Sequence, residues 1–312
     1  MKPVFLPLAD FVTTAHQILK AGFVATLLAV PTLSHGDIVA NFSGGGSSSS
    51  PVTDHYDAWT GMAGGGWSTA WELRNNYSGS GTGAPTFEVI STPSTLWSGP
   101  RLQVTPVETR QKWSIGRSYD FDSLGSSQIS ISFQISIDDL GTFLSTPTNS
   151  LFIGENNTNT GNLTTSTSWF LAAFGGSNPN GNVSTSSNYR GAKQAQWNVG
   201  IGGSDAYVPT GILLQEDTLY TFTLTLDSAS YTYTLTLTDG TNTFTSGLLT
   251  FRSENPLGRT LVFAEDTEMG QNLGFSLGNI VIAPVPEVSS SLLMLTGVTA
   301  LLVRRQHKPV TR

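Results

Sequence analysis

The chain contains no cysteine, which excludes disulfide scaffolds, thiolate metal sites and cysteine nucleophiles together. Charge is scarce: only 12% of its 312 residues are Asp, Glu, Lys or Arg. Histidine is scarcer still, and three of the four, His16, His35 and His307, stand near the ends. His55 alone serves the middle, so a multi-histidine zinc site is excluded there. A Ser-His-Asp triad would have to run through that one ring, beside Asp54 and Asp57, and no Gly-x-Ser-x-Gly elbow accompanies it. Also missing between Asp37 and Ala283 is any apolar period of a helix. In their place the chain is rich in Ser, Thr and Gly, which disfavours a helical protein. Its seven Trp and 10% aromatic residues are too many for a disordered one.

The two ends differ from the middle. Residues 1–20 carry Lys2 and Lys20 against Asp10, and an apolar run, Ala21 to Val30, follows. Pro31 and the small residues Ser34 and Gly36 come next. A basic start, a short apolar core and small residues two apart describe a secretory signal helix over 1–36. The far end, 284–312, reads Val285-Pro286-Glu287-Val288, a Ser run, an uncharged stretch from Leu292 to Val303, then Arg304-Arg305 and further cations. A helix over 288–303 would be about 24 Å long, against a bilayer core of about 30 Å. Such a transmembrane helix inserts with thinning and with snorkelling from Arg304 and Arg305. The trailing cations place its end in the cytoplasm and the preceding residues outside.

This tripartite tail resembles the PEP-CTERM sorting signal of Gram-negative bacteria. Pro286 and Glu287 stand at the first two motif positions, Val288 stands where the motif has its second proline, and Arg304 and Arg305 form the basic end. The resemblance implies processing by an exosortase in the inner membrane and export to the cell surface or an exopolysaccharide matrix. Extracellular polysaccharide is then the implied partner.

The middle, residues 37–283, carries nine basic and twenty acidic residues, a net charge of −11. That balance repels nucleic acid and anionic lipid. Its clearest element is Ile129–Ile137, five apolar residues alternating with four polar ones, a strand with one wet face. Tyr220–Leu226 and Tyr231–Leu237 repeat the pattern with Thr outward, and Asp239-Gly240 marks a hairpin before Thr243. Residues 219–249 are thus an antiparallel meander. Weaker strands are predicted over 87–90, 102–107, 112–118, 169–174, 195–201, 260–263 and 275–282. The pattern predicts an all-β protein, an antiparallel β-sandwich or jelly roll. The final strand, Phe275–Ile282, resembles the closing strand of concanavalin A-like sandwiches. No short repeat of a parallel β-helix is present. Ser43–Ser50 has linker composition, and 178–194 is a long Gly/Asn/Ser-rich loop of the kind found at a binding rim.

Glu265-Asp266-Thr267-Glu268 is the densest acidic cluster. Laminarinase-type glycosidases place acids on alternate residues of one strand, and retaining hydrolysis needs two carboxyls about 5–5.5 Å apart. Here Glu265 and Asp266 are adjacent and point to opposite faces, so Asp266 and Glu268 alone share one. No catalytic residue is assigned on that basis. Asp138-Asp139 and Glu155–Asn159 are oxygen-rich in the way Ca²⁺ prefers, without the spacing of a calcium loop. No other cofactor is implied. Trp113, Trp169 and Trp197 sit in strand patterns and belong to the core. Trp97, beside Ser98-Gly99-Pro100, is the tryptophan expected at the surface, where an indole face stacks on sugar. The Thr ladder 221, 223, 225, 232, 234 and 236 is explained by the β propensity of Thr on a wet face. These features together describe an exported surface or matrix protein with a structural, adhesive or weakly glycan-binding role. The alternative is a glycoside hydrolase or lyase acting on matrix polysaccharide.

Overall fold

The computed structural model describes residues 37–40, 42, 47–48, 67–69, 71–75, 85–107, 111–156, 167–184, 189–202, 206–252, 260–268 and 270–285. The predicted signal, 1–36, and the sorting residues Pro286, Glu287, Arg304 and Arg305 lie outside these residues, as do His55 and Trp59.

Among the described residues every regular element except two short 3-10 turns is a strand, and every ladder between strands is antiparallel. One sheet holds β1 (Ile38–Ala40), β2 (Ser47–Ser48), β4 (Thr86–Ile90), β5 (Arg101–Thr105), β7 (Gln128–Asp139), β12 (Thr218–Asp227), β13 (Thr232–Thr238), β14 (Thr243–Thr245), β15 (Leu249–Thr250) and β17 (Gly274–Pro284). Its order is β14-β13-β12-β7-β17-β5-β4-β2, with β1 beside β17 and β15 beside β13. The other sheet holds β3 (Glu72–Asn75), β6 (Gln111–Ser118), β8 (Ser150–Asn156), β9 (Thr167–Phe174), β10 (Gln196–Ile201), β11 (Ala206–Leu213) and β16 (Thr260–Thr267). Its order is β11-β10-β9-β8-β16-β6-β3. The protein is therefore an all-β, two-sheet antiparallel sandwich, as the alternation predicted.

The longest strand shows why. In β7 the inward residues Ile129, Ile131, Phe133, Ile135 and Ile137 are all buried. Its outward Ser130, Ser132 and Gln134 are half-exposed. β12 pairs it residue for residue, with Phe222 opposite Phe133 and Thr223 opposite Ser132. Rings then join the layers. Phe133 stacks on Phe222 at 4.8 Å and meets the edge of Phe263, from the opposite sheet, at 5.8 Å. Trp197 stands edge-on to Phe222 at 5.0 Å. The Tyr233 hydroxyl donates to the Gly200 carbonyl, a second tie between sheets. The meander closes through local caps: the Asp227 carboxylate accepts from the amides of Ala229 and Ser230, and Gly240 adopts φ +87°, open to a residue without Cβ.

Trp97 departs from expectation. It is 3% exposed, so its face is not offered to a sugar. A tight turn, with the Ser94 amide donating to the Trp97 carbonyl, folds it back. The indole lies over Gly278 of β17 and donates to Ser136 Oγ at 3.0 Å. A Cβ at Gly278 would stand 2.6 Å from Trp97 Cζ3. Gly278→Val is expected to evict the indole, costing about 1–3 kcal/mol and red-shifting tryptophan emission. A spectrum and urea midpoint equal to the parent's would contradict this placement.

Candidate functional site

At one end of the sandwich three connections meet: the end of β5, the turn after β7 and the link between β16 and β17. Between them lies an open cavity of about 220 Å³. Pro106 and Val107 form one wall, Asp139, Gly141 and Thr142 another, and Gly270 with Asn272 the third. The structure thus brings the two acidic sequence clusters, 138–139 and 265–268, to the same end of the molecule.

Their neighbours within each cluster are separated by strand phase. Asp138 turns to the outer face, where its carboxylate accepts from the hydroxyls of Ser136 and Ser276 and, at 3.4 Å, from Gln103 Nε2. Asp139 lines the cavity, and its Oδ1 accepts from the Gly141 amide at 2.7 Å. Glu265 turns inward and is 1% exposed. Trp113 Nε1 donates to its Oε2 at 3.0 Å, and the Leu273 amide to its Oε1 at 2.8 Å. Burial pushes its pKa up to about 8, against the pull of these two donors. Asp266 turns outward and pairs with Lys112 at 2.9 Å, both side chains more than a third exposed. Glu268 lies beyond the end of β16, so it does not share a strand face with Asp266.

Polar side chains tie together the connections around the cavity. Asn149 Nδ2 donates to the Phe143 carbonyl at 2.8 Å and to Gln271 Oε1 at 3.0 Å, while its Oδ1 accepts from the Glu268 amide. Asn272 joins Thr267 and the Val107 carbonyl, and Thr142 Oγ1 donates to the Gly270 carbonyl. Every connection around the opening is therefore latched to another. Asn149, Gln271, Asn272 and Thr142 carry no sequence signal in a chain so rich in amides and hydroxyls.

The remaining candidates fall elsewhere. Glu155 is 5% exposed and accepts from Trp169 Nε1 at 3.0 Å, while 157–159 lie outside the described residues. Among the described residues no group of three or more His, Asp or Glu is placed to hold a metal ion. From the stretch 178–194, Val183 and Ala192 bury against Phe170 and Phe174 of β9 and Tyr207 of β11. Polar groups there bond to one another, Gln194 Nε2 donating to the Asn182 carbonyl and the Lys193 ammonium to Asn182 Oδ1.

No family model matches the chain, and no curated protein does. Solved structures with a similar arrangement include a carbohydrate esterase, vb_24B_21, from Shiga toxin-encoding bacteriophage phi24B, at 10% identity and TM-score 0.42, covering 77% of this chain and all of that one. A sialidase matches at 12% identity and TM-score 0.41 over 69% of this chain, which spans only 17% of the sialidase. Lectin II from Ulex europaeus matches at 11% identity and TM-score 0.38, covering 68% of this chain and 97% of the lectin. At these identities and scores the likeness says nothing of function.

Proposed function

We propose that residues 37–283 form a glycan-binding body of concanavalin A-like type, carried to the cell surface or exopolysaccharide matrix by the secretory signal and the exosortase-processed tail. Its role is adhesive rather than catalytic. The observation that carries this reading is the latched cavity beside Asp139. Its volume is below the roughly 300–1,000 Å³ of sites for drug-sized ligands, a size for one small ring. Pro106 and Val107 offer an apolar wall, and the Asp139 carboxylate and the Thr142 hydroxyl oxygen offer directed acceptors. A carboxylate accepting from two neighbouring hydroxyls makes charge-assisted bonds, the strong kind. Among the described residues Asp139 is the sole ionisable group of the lining, and its negative charge favours a neutral or amino sugar over a uronic acid. The carboxyls nearby support binding over hydrolysis: both oxygens of Glu265 are occupied in the core, and Asp266 is paired with Lys112.

Calorimetric titration of the exported protein with monosaccharides and short glycans tests the reading. Asp139→Ala is expected to weaken the tightest binder about 10- to 100-fold, the loss of one hydrogen-bonded charge. No binder in a panel of neutral and amino sugars would sink it. Release of reducing ends from a bound glycan would favour the hydrolase or lyase. Mature protein confined to the cytoplasm would refute the export route.

A further inference from the structure

The cavity beside Asp139 has a definite polarity. Each side-chain donor of its lining already serves a protein oxygen: Thr142 Oγ1 donates to the Gly270 carbonyl and Asn272 Nδ2 to the Val107 carbonyl. The Gly141 amide is spent on Asp139 Oδ1 at 2.7 Å. Pro106 has no amide proton to give. Among the described residues the lining holds no Lys, Arg or His.

Acceptors are what remain. An ionised carboxylate has about four lone-pair positions, and among the described residues Asp139 fills them only with the Gly141 amide. The acids beside it are occupied. Asp138 accepts from Ser136, Ser276 and Gln103, and Asp266 pairs with Lys112. Asp139 has no such cation among the described residues, and its side chain is exposed at the opening. The Thr142 oxygen and the Gly270 carbonyl keep lone pairs beyond the bond they share. These acceptors converge. A carbon placed as Cβ on Gly141 would stand 3.5 Å from Asp139 Oδ1 and 3.7 Å from the Asn272 carbonyl oxygen. Two oxygens thus close on one point at the edge of the opening, one of them charged.

We infer that the group taken at this point is an ammonium, carried by an amino sugar whose nitrogen is free rather than acetylated, an inference that rests on the glycan reading above and narrows it. An ammonium has three donors and no acceptor, the complement of a corner made of acceptors. Its bond to Asp139 is charge-assisted at both ends, which a sugar hydroxyl cannot match. An N-acetyl group brings a carbonyl to a corner whose side-chain donors are already spent. The apolar wall of Pro106 and Val107 receives the C–H face of the ring, which a bare amine lacks. The net charge of −11 on residues 37–283 draws such a cationic glycan from a distance.

Calorimetric titration of the full exported protein with three trisaccharides tests this: one of glucosamine, its N-acetylated counterpart, and one of glucose. The glucosamine form is expected to bind about tenfold more tightly than either of the others, and to lose that margin as salt is raised. Asp139→Asn keeps the oxygen that holds the Gly141 amide and sets an N–H where the second oxygen stood. It is expected to erase the preference for the free amine. Asp217→Asn removes an equal charge at an exposed position outside the lining and is expected to leave the preference intact. Equal losses in the two variants would assign the attraction to overall charge and overturn the inference. A glucose or N-acetylated form bound as tightly as the amine overturns the inference and leaves the pocket reading standing. Binding of none of the three overturns the pocket reading itself. Putrescine bound as tightly as the glucosamine form would assign the corner to amines at large and overturn the sugar.

Discussion

Raising the pH from 4.5 to about 8 is expected to cost the folded protein on the order of 4 kcal/mol through Glu265 alone. The carboxyl is enclosed between the sheets, and burial outweighs the Leu273 amide and Trp113 indole that favour its charge. The nearby charge of Asp266 pushes the same way as burial. In the unfolded chain the proton leaves near 4.5, whereas the folded chain keeps it to about 8. Between those values the folded state binds more protons, so stability falls as pH rises; below and above the window this group adds no slope. Asp239 acts in the opposite sense: hydrogen bonding from the Asn242 amide holds its pKa below the usual range, so its effect appears only in acid. Glu265→Gln removes the titration. Its amide nitrogen must face one of two N–H donors, so the variant is expected to be weaker by about 1–3 kcal/mol near pH 5. The parent then declines with pH while the variant does not, and the two curves meet or cross by about pH 8. Urea midpoints across this range check the result. Parallel curves would mean that Glu265 is charged in the fold.

The same residue shows how much of the site was legible in the sequence. The acidic cluster was visible, and so was the phase that sorts it. Leu261, Phe263 and Glu265 alternate with Val262, Ala264 and Asp266, so a carboxyl on the inward phase of β16 is readable from the alternation alone. What it meets there was not, because Trp113 reaches it from β6 and Leu273 from the connection before β17. Asn149, Gln271 and Asn272 act through loop geometry, which leaves no period to detect.

The fold divides along similar lines. β7, β12 and β13 have one buried and one wet face, and their alternation gave them away. β8, Ser-Leu-Phe-Ile-Gly-Glu-Asn, has no such pattern: every residue except the half-exposed Phe152 is buried, and a strand covered on both faces shows no alternation. β11 was hidden by Pro209 and Gly211, which suit its position at the sheet edge. Trp97 misled for a different reason. Its flanks describe a surface turn correctly, but the space that receives its ring is set by Gly278 on another strand.

Phe133→Ala is expected to cost about 3–5 kcal/mol, out of the roughly 5–15 kcal/mol typical of a folded domain. The ring is fully buried and sits at the crossing of the two layers, stacked on Phe222 and edge-on to Phe263. Its strand is paired on both sides, by β12 and β17, so the backbone cannot collapse into the void. Ser132→Ala, one residue earlier, is on the wet phase and is expected to change stability by no more than about 0.5 kcal/mol. Adjacent positions differing this widely test the phase of β7 directly, with urea midpoints as the readout. The function is tied to that phase. Asp139 and Asp138 end the same strand, one facing the cavity and the other the outer face, and a one-residue slip would exchange them. Similar costs at 132 and 133 would mean that β7 is not held in this register, and the cavity assigned to Asp139 would fall with it.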